Sequence, residues 1–259
     1  MRKFSFLGVC VVLLSLTACH QNHGDLLATK QYKTTKTVYA NDNKTEQMDV
    51  SMVFEYPTES AYPQMLDSVK RFVIDCVFNT DIDSVYVDPA SSPSQAMATK
   101  VSELVKVYKQ DNNFFLSEDT IEETEQSLFF SASYDLQASV HSIVDDVMYY
   151  MVSTYRYYGG AHGLNTVMYY NINLRTGQQL AEKDVLPDMT EEQLSERMKT
   201  SLAQSAGVTV GELEDAGFFV EDIKPNGNFY VTDDSVVFHF NQYEIASYAM
   251  GPVEIAVAK

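Results

Sequence analysis

The sequence predicts an α+β fold: a mainly antiparallel sheet packed with helices, in one compact body with two lobes. Three observations predict it. Apolar and polar residues alternate over 48–56 and again over 128–140, the period of strands with one wet face. Apolar stripes at helical spacing run through Met65–Val77 and Met97–Tyr108. Strands and helices cluster instead of alternating strictly, which disfavours a doubly wound parallel sheet.

Taken in order, Arg2 and Lys3 precede an apolar stretch, Phe4–Leu16, with the length of a signal-peptide core. It falls short of the roughly 20 residues a spanning helix needs. The stretch ends in Leu16-Thr17-Ala18-Cys19, which resembles the bacterial lipoprotein signal; the resemblance implies a lipid on the Cys19 thiol and cleavage before it. Residues 1–18 are then removed, and 19–29 form a polar, lipidated tether. Thr34–Tyr39 pairs with the 48–56 strand across Asn41-Asp42-Asn43. Met65, Leu66, Val69, Phe72, Val73, Cys76 and Val77 share one face of a helix that packs on the sheet. Ser92 as N-cap and Pro93 at the first helical position open a second helix, carrying Met97, Val101, Leu104, Val105 and Tyr108.

Leu128, Phe130, Ala132, Tyr134, Leu136, Ala138 and Val140 line one side of a long strand. In the next, Val147, Tyr149, Met151 and Tyr155 occupy one face and Met148, Tyr150, Val152 and Tyr158 the other, the pattern of a strand covered on both sides. Thr166–Leu174 follows, turned back by Arg175-Thr176-Gly177 toward Leu180. Thr190-Glu191-Glu192-Gln193 fits a capping box and opens a helix with Leu194, Met198 and Leu202 on one face. A shorter helix covers 209–215. Beyond the Asn226-Gly227 turn, 229–231, 236–240 and 253–257 read as terminal strands.

With 259 residues, 45% of them hydrophobic, and only 11 Gly and 7 Pro, the chain can bury a sizeable core, which rules out disordered, collagen-like and low-complexity readings. Its 36 acidic and 18 basic residues give a formal charge of −18, which argues against nucleic acid or an anionic bilayer as ligand. A cationic partner suits that charge, and the plainer reading, that acidity keeps an exported protein soluble, weighs more. Loss of residues 1–18 removes Arg2 and Lys3 and no acid, taking the charge to −20. Of three cysteines, Cys10 leaves with the signal and Cys19 takes the lipid. Cys76 alone remains in the body, on an apolar helix face, as a small buried hydrophobe and not a nucleophile.

Signals for catalysis are sparse. The five histidines are His20, His23, His141, His162 and His239, and none belongs to a His-Glu-x-x-His pair. The sequence also lacks Cys-x-x-Cys, Gly-x-Ser-x-Gly and a phosphate-binding Gly-rich loop with its Lys, so no cofactor and no metal is expected. Asp145/Asp146, Asp233/Asp234 and Glu191/Glu192 are adjacent pairs, which spacing alone does not make into a carboxylate pair. His141 and His239 read as ordinary surface or satisfied residues. The unusual feature is Tyr155-Arg156-Tyr157-Tyr158-Gly159-Gly160-Ala161-His162-Gly163. It suits a tight connection between two strands, with Gly supplying positive φ. That is the favoured reading; the other is a ligand-facing loop, with Tyr rings for stacking and Arg156 for an anion, and Arg156, Tyr158, Gly159, Gly160 and His162 are its candidate binding residues.

Tyr158–Gly163, Tyr169–Gly177, Asp184-Val185-Leu186 and the block Phe229–Ala246 ending near Gly251-Pro252 together resemble the C-terminal signature of the RsiV-like family of unknown function. The preceding half resembles the PdaC-type domain that often accompanies it. On that resemblance, residues 30–152 form the PdaC-like domain and 153–259 the RsiV-like domain. In the best understood relatives the module belongs to a membrane-spanning anti-sigma factor that binds lysozyme, and related modules adjoin a peptidoglycan deacetylase. The expectation for this chain is a module with neither the sigma-factor segment nor the deacetylase domain, so no catalytic residue carries over. The resemblance implies a non-enzymatic, lipid-anchored envelope protein that binds a protein such as lysozyme or a cell-wall glycan. The alternative is a hydrolase of peptidoglycan or another polysaccharide, using carboxylates gathered by the fold. The membrane is contacted through the lipid only. His20 in place of Asp after Cys19 favours the outer membrane, by a rule from one bacterial group.

Overall fold

A computed structural model describes residues 20–39, 47–80, 85–116 and 131–259. The first lobe is a six-stranded sheet in sequential order: β1 (His20–His23), β2 (Leu27–Tyr39), β3 (Gln47–Ser60), β4 (Ala132–Val144), β5 (Val147–Tyr157) and β6 (Leu164–Asn173). All neighbours are antiparallel except β3 and β4, which run parallel. A parallel pair needs a crossover. The chain provides it with α1 (Leu66–Phe78) and α2 (Pro93–Leu116), both packed on the same face of the sheet. The predicted alternation explains that packing. Met48, Val50, Met52 and Phe54 of β3, with Tyr134, Leu136 and Ala138 of β4, meet Val69, Phe72, Val73 and Val77 of α1. Cys76 belongs to this core, where burial pushes its thiol well above the ordinary range.

The second lobe holds a short helix α3 (Glu182–Val185), α4 (Glu191–Ala206) and a three-stranded antiparallel sheet, β7 (Phe229–Val231), β8 (Ser235–Phe240) and β9 (Val253–Ala258). The capping box is present: Gln193 N–H donates to Thr190 Oγ1, and Thr190 N–H to Gln193 Oε1. Leu194, Met198 and Leu202 of α4 pack against Phe238, Ile255 and Val257 in a second core. Val147 and Tyr149 of β5 join it, while Met148 and Tyr150 join the first. This is why the start of β5 is apolar on both faces; further along, where the second lobe no longer covers it, Tyr155 is exposed.

β6 is the edge of the large sheet, and its outward backbone groups need partners. Two buried asparagines of the second lobe supply them. Asn228 Oδ1 accepts from Tyr169 N–H at 2.8 Å and its Nδ2 donates to Val167 C=O at 2.9 Å. Asn241 Oδ1 accepts from Val167 N–H at 2.6 Å, and its Nδ2 donates to the same carbonyl at 3.2 Å.

Two expectations need correction. His20–Thr29 is not a polar tether: His20–His23 pairs antiparallel with Leu27–Lys30, and Leu27 and Thr29 are buried. The sequence hides this strand because polar contacts hold part of it. Glu55, itself buried, accepts from Thr29 Oγ1 at 3.4 Å, lies 3.1 Å from His23 Nε2 and caps Val140 N–H at the β4 bulge. Likewise His239, read as a surface or a satisfied residue, is not at the surface: it is 6% exposed between the lobes, with Nδ1 3.3 Å from Glu254 Oε1. The predicted signal segment, Cys19, the Asn41–Asn43 turn, and Leu128 and Phe130 lie outside the described residues. Among the described residues no helix is long and apolar enough to cross a membrane.

Candidate functional site

The loop between β5 and β6 takes part in an aromatic surface that is partly exposed. Gly159 and Gly160 take φ of +90° and +91°, a conformation that suits glycine, and Tyr157 Oη donates to Gly160 C=O at 3.0 Å. At Gly163 the constraint is space, since a Cβ would lie 2.5 Å from the Tyr155 ring. The loop therefore turns tightly and presents His162 outward. Its Nδ1 lies 3.1 Å from Gly163 C=O, and its ring stacks on Tyr248 at 4.1 Å with 21° between the planes. Tyr248 is held in turn by its Oη, which donates to Gly163 C=O at 3.1 Å. Tyr243 continues the row, 5.4 Å from Tyr248 and 54% exposed.

Tyr243 sits where a glycine is usual. Asn241–Glu244 is a turn closed by Glu244 N–H to Asn241 C=O at 3.1 Å, and its third residue, Tyr243, has φ of +71°. The turn is fastened to β6 through the Asn241 side chain described above, so ring position and lobe docking share one residue.

Of the predicted binding residues, His162 joins this aromatic row. Gly159 and Gly160 shape the loop, and Tyr158 is 54% exposed at its start. Arg156 lies within β5, half-buried, in register with Tyr134 and Leu164. Tyr243 and Tyr248 were not legible as partners. Their only sequence signal is a pair of tyrosines in the irregular stretch after β8, some 80 residues beyond the loop they meet.

A second cluster lies in the seam between the lobes. His239 Nδ1 is 3.3 Å from Glu254 Oε1, and its buried Nε2 has no hydrogen-bond partner among the described residues. Tyr169, 5.8 Å away between ring centres, closes one side; Tyr230 and His141 follow, with the His141 ring 4.4 Å from Tyr230. Burial pushes the Tyr169 phenol up to about 12 and lowers His141 below its ordinary value. A carboxylate orienting an imidazole is a feature of general-base sites. Here, however, the outer nitrogen is sealed from solvent. Among the described residues no group of three or more His, Cys, Asp or Glu is placed to hold a metal.

Comparison with known proteins adds the following. Residues 179–259, which span the second lobe from the turn after β6, match the model of a protein family of unknown function, DUF3298. A solved DUF3298 family member from Bacteroides fragilis is similar over 92% of each chain, at 26% identity and a TM-score of 0.77, so the arrangement of both lobes recurs there. A DUF3298 family protein from Pseudomonas aeruginosa is similar at 16% identity and a TM-score of 0.48, over 88% of this chain and 89% of that one. No curated protein matches the sequence. Through residues 179–259, the chain carries a DUF3298 domain.

Proposed function

We propose that this chain is a non-enzymatic, lipid-anchored binding protein of the bacterial envelope, whose ligand is another protein or a cell-wall glycan. The observation that carries the reading is the aromatic row His162, Tyr248 and Tyr243, exposed at His162 and Tyr243 and half-buried at Tyr248, on a turn and a loop held by glycine geometry and side-chain bonds. Rigid aromatic side chains give large contact area at low entropic cost, which suits a recognition surface. The formal charge of −18 adds a preference for a basic partner, and lysozyme fits it; complementary fields act mainly on association rate. The finer likeness to the RsiV-like and PdaC-like domains supports the same ligand class.

The anchor rests on Leu16-Thr17-Ala18-Cys19, and the residue after Cys19 favours the outer membrane. Since β1 begins at His20, a lipid on Cys19 would hold one sheet edge close to the bilayer. β6, at the opposite edge, is five strand spacings away, on the order of 24 Å, so the aromatic row would face outward from the membrane.

The binding reading is tested with the full chain in detergent, by co-sedimentation with purified cell-wall sacculi and by retention on immobilised lysozyme. Saturable retention on either supports it, and retention on neither overturns it.

A further inference from the structure

We infer that the row His162, Tyr248 and Tyr243 takes an uncharged oligosaccharide, one sugar unit lying against Tyr243 and the hydroxyls of another reaching His162. The inference rests on the binding reading above and narrows its ligand to one chemical class.

Three observations converge. The first is backbone strain carried by a largely exposed aromatic. Tyr243 holds a left-handed φ of +71° that disfavours any side chain, and it is 54% exposed, so its contact with Tyr248 offsets the penalty only in part. Glycine would suit the turn better. A large aromatic at such a place serves something other than stability. The second is rigidity. Tyr248 is pinned between the His162 ring and Gly163 C=O, and the Asn241 side chain fastens the Tyr243 turn to β6, so the ring surface exists before any ligand arrives. The third is hydrogen-bonding polarity. Gly163 C=O can only accept, so His162 Nδ1 donates to it, and in the neutral imidazole Nε2 is then an acceptor. A saccharide matches all three. Its C–H face is apolar and lies well on the electron-rich face of an aromatic ring, while its hydroxyls donate at the rim. The charge of −18 sets the sign, disfavouring phosphorylated or carboxylated glycans.

The test titrates the full chain, in detergent, with an N-acetylglucosamine oligomer, following tyrosine emission, which the absence of Trp leaves unobscured. The wild type is expected to saturate. Tyr243→Gly should weaken binding at least tenfold while moving the melting temperature by no more than about 2 °C, because relief of the turn offsets the lost Tyr248 contact and the added freedom of the unfolded chain. His162→Ala should weaken binding with little change in melting temperature. Loss of affinity in variants as stable as wild type separates recognition from folding. If both variants bind the oligomer like wild type, or if wild type does not bind it, the inference is overturned. Lysozyme or sacculus retention in the latter case would leave the broader binding reading standing; its loss as well would end both.

Discussion

The two asparagines that bridge the lobes give a prediction that can be worked bond by bond. Asn228→Ala strips Tyr169 N–H of its partner in a buried setting and removes one of the two donors to Val167 C=O. An orphaned buried N–H costs about 1–3 kcal/mol, so Asn228→Ala should lose about 2–3 kcal/mol with the small void included. Asn241→Ala orphans Val167 N–H in the same way and should lose a similar amount. After either change alone, Val167 C=O keeps a donor; after both it has none. The double variant should therefore lose about 1 kcal/mol more than the sum of the singles. Urea unfolding with midpoint and slope fitted separately measures this, and the slope should stay constant. Singles within 0.5 kcal/mol of wild type would refute the clamp, and strict additivity would refute the shared carbonyl.

Other consequences are simpler. Glu55→Ala leaves Val140 N–H and Thr29 Oγ1 without their buried acceptor and should cost about 2–4 kcal/mol, whereas Glu55→Gln keeps an acceptor oxygen and should cost less than half as much, both by urea unfolding. Asp146 accepts from Arg175 and from Tyr62 Oη, and these bonds hold its carboxyl below the ordinary 3.8. A folded-state value below the unfolded one gives stability that is present above about pH 4 and lost as pH falls through the folded value. Asp146→Asn should thus flatten the acid limb of a melting-temperature profile and leave its shape above pH 5 unchanged; a parallel acid limb in the variant would contradict it.

Much of the architecture could be read from residue order. Met48, Val50, Met52 and Phe54 announce a strand, Val69, Val73 and Val77 a helix that covers it, and Thr190 with Gln193 the start of α4, because each signal is local and periodic. What escaped was set by packing between distant segments. β1 carries no apolar alternation, and its place depends on β2, with Thr29 and His23 gathered on Glu55. His239 lies among apolar strand residues, yet alternation says only which face a residue takes, not that β6 will close over that face. The glycine loop was visible as a loop, and His162 as one of its candidates. Tyr243 and Tyr248 reach it from 80 residues away through a turn whose positive φ no rule for tyrosine anticipates.

The central claim is that the acidic body is a recognition module. Its most direct test is calorimetric titration of residues 20–259, which hold every element described above, with a C-type lysozyme at low and at physiological salt. Saturable binding that weakens as salt rises is the predicted result, since a body this acidic attracts a basic partner through screened charge. Binding that is indifferent to salt would contradict the electrostatic basis, and no heat at either salt would remove lysozyme as the ligand.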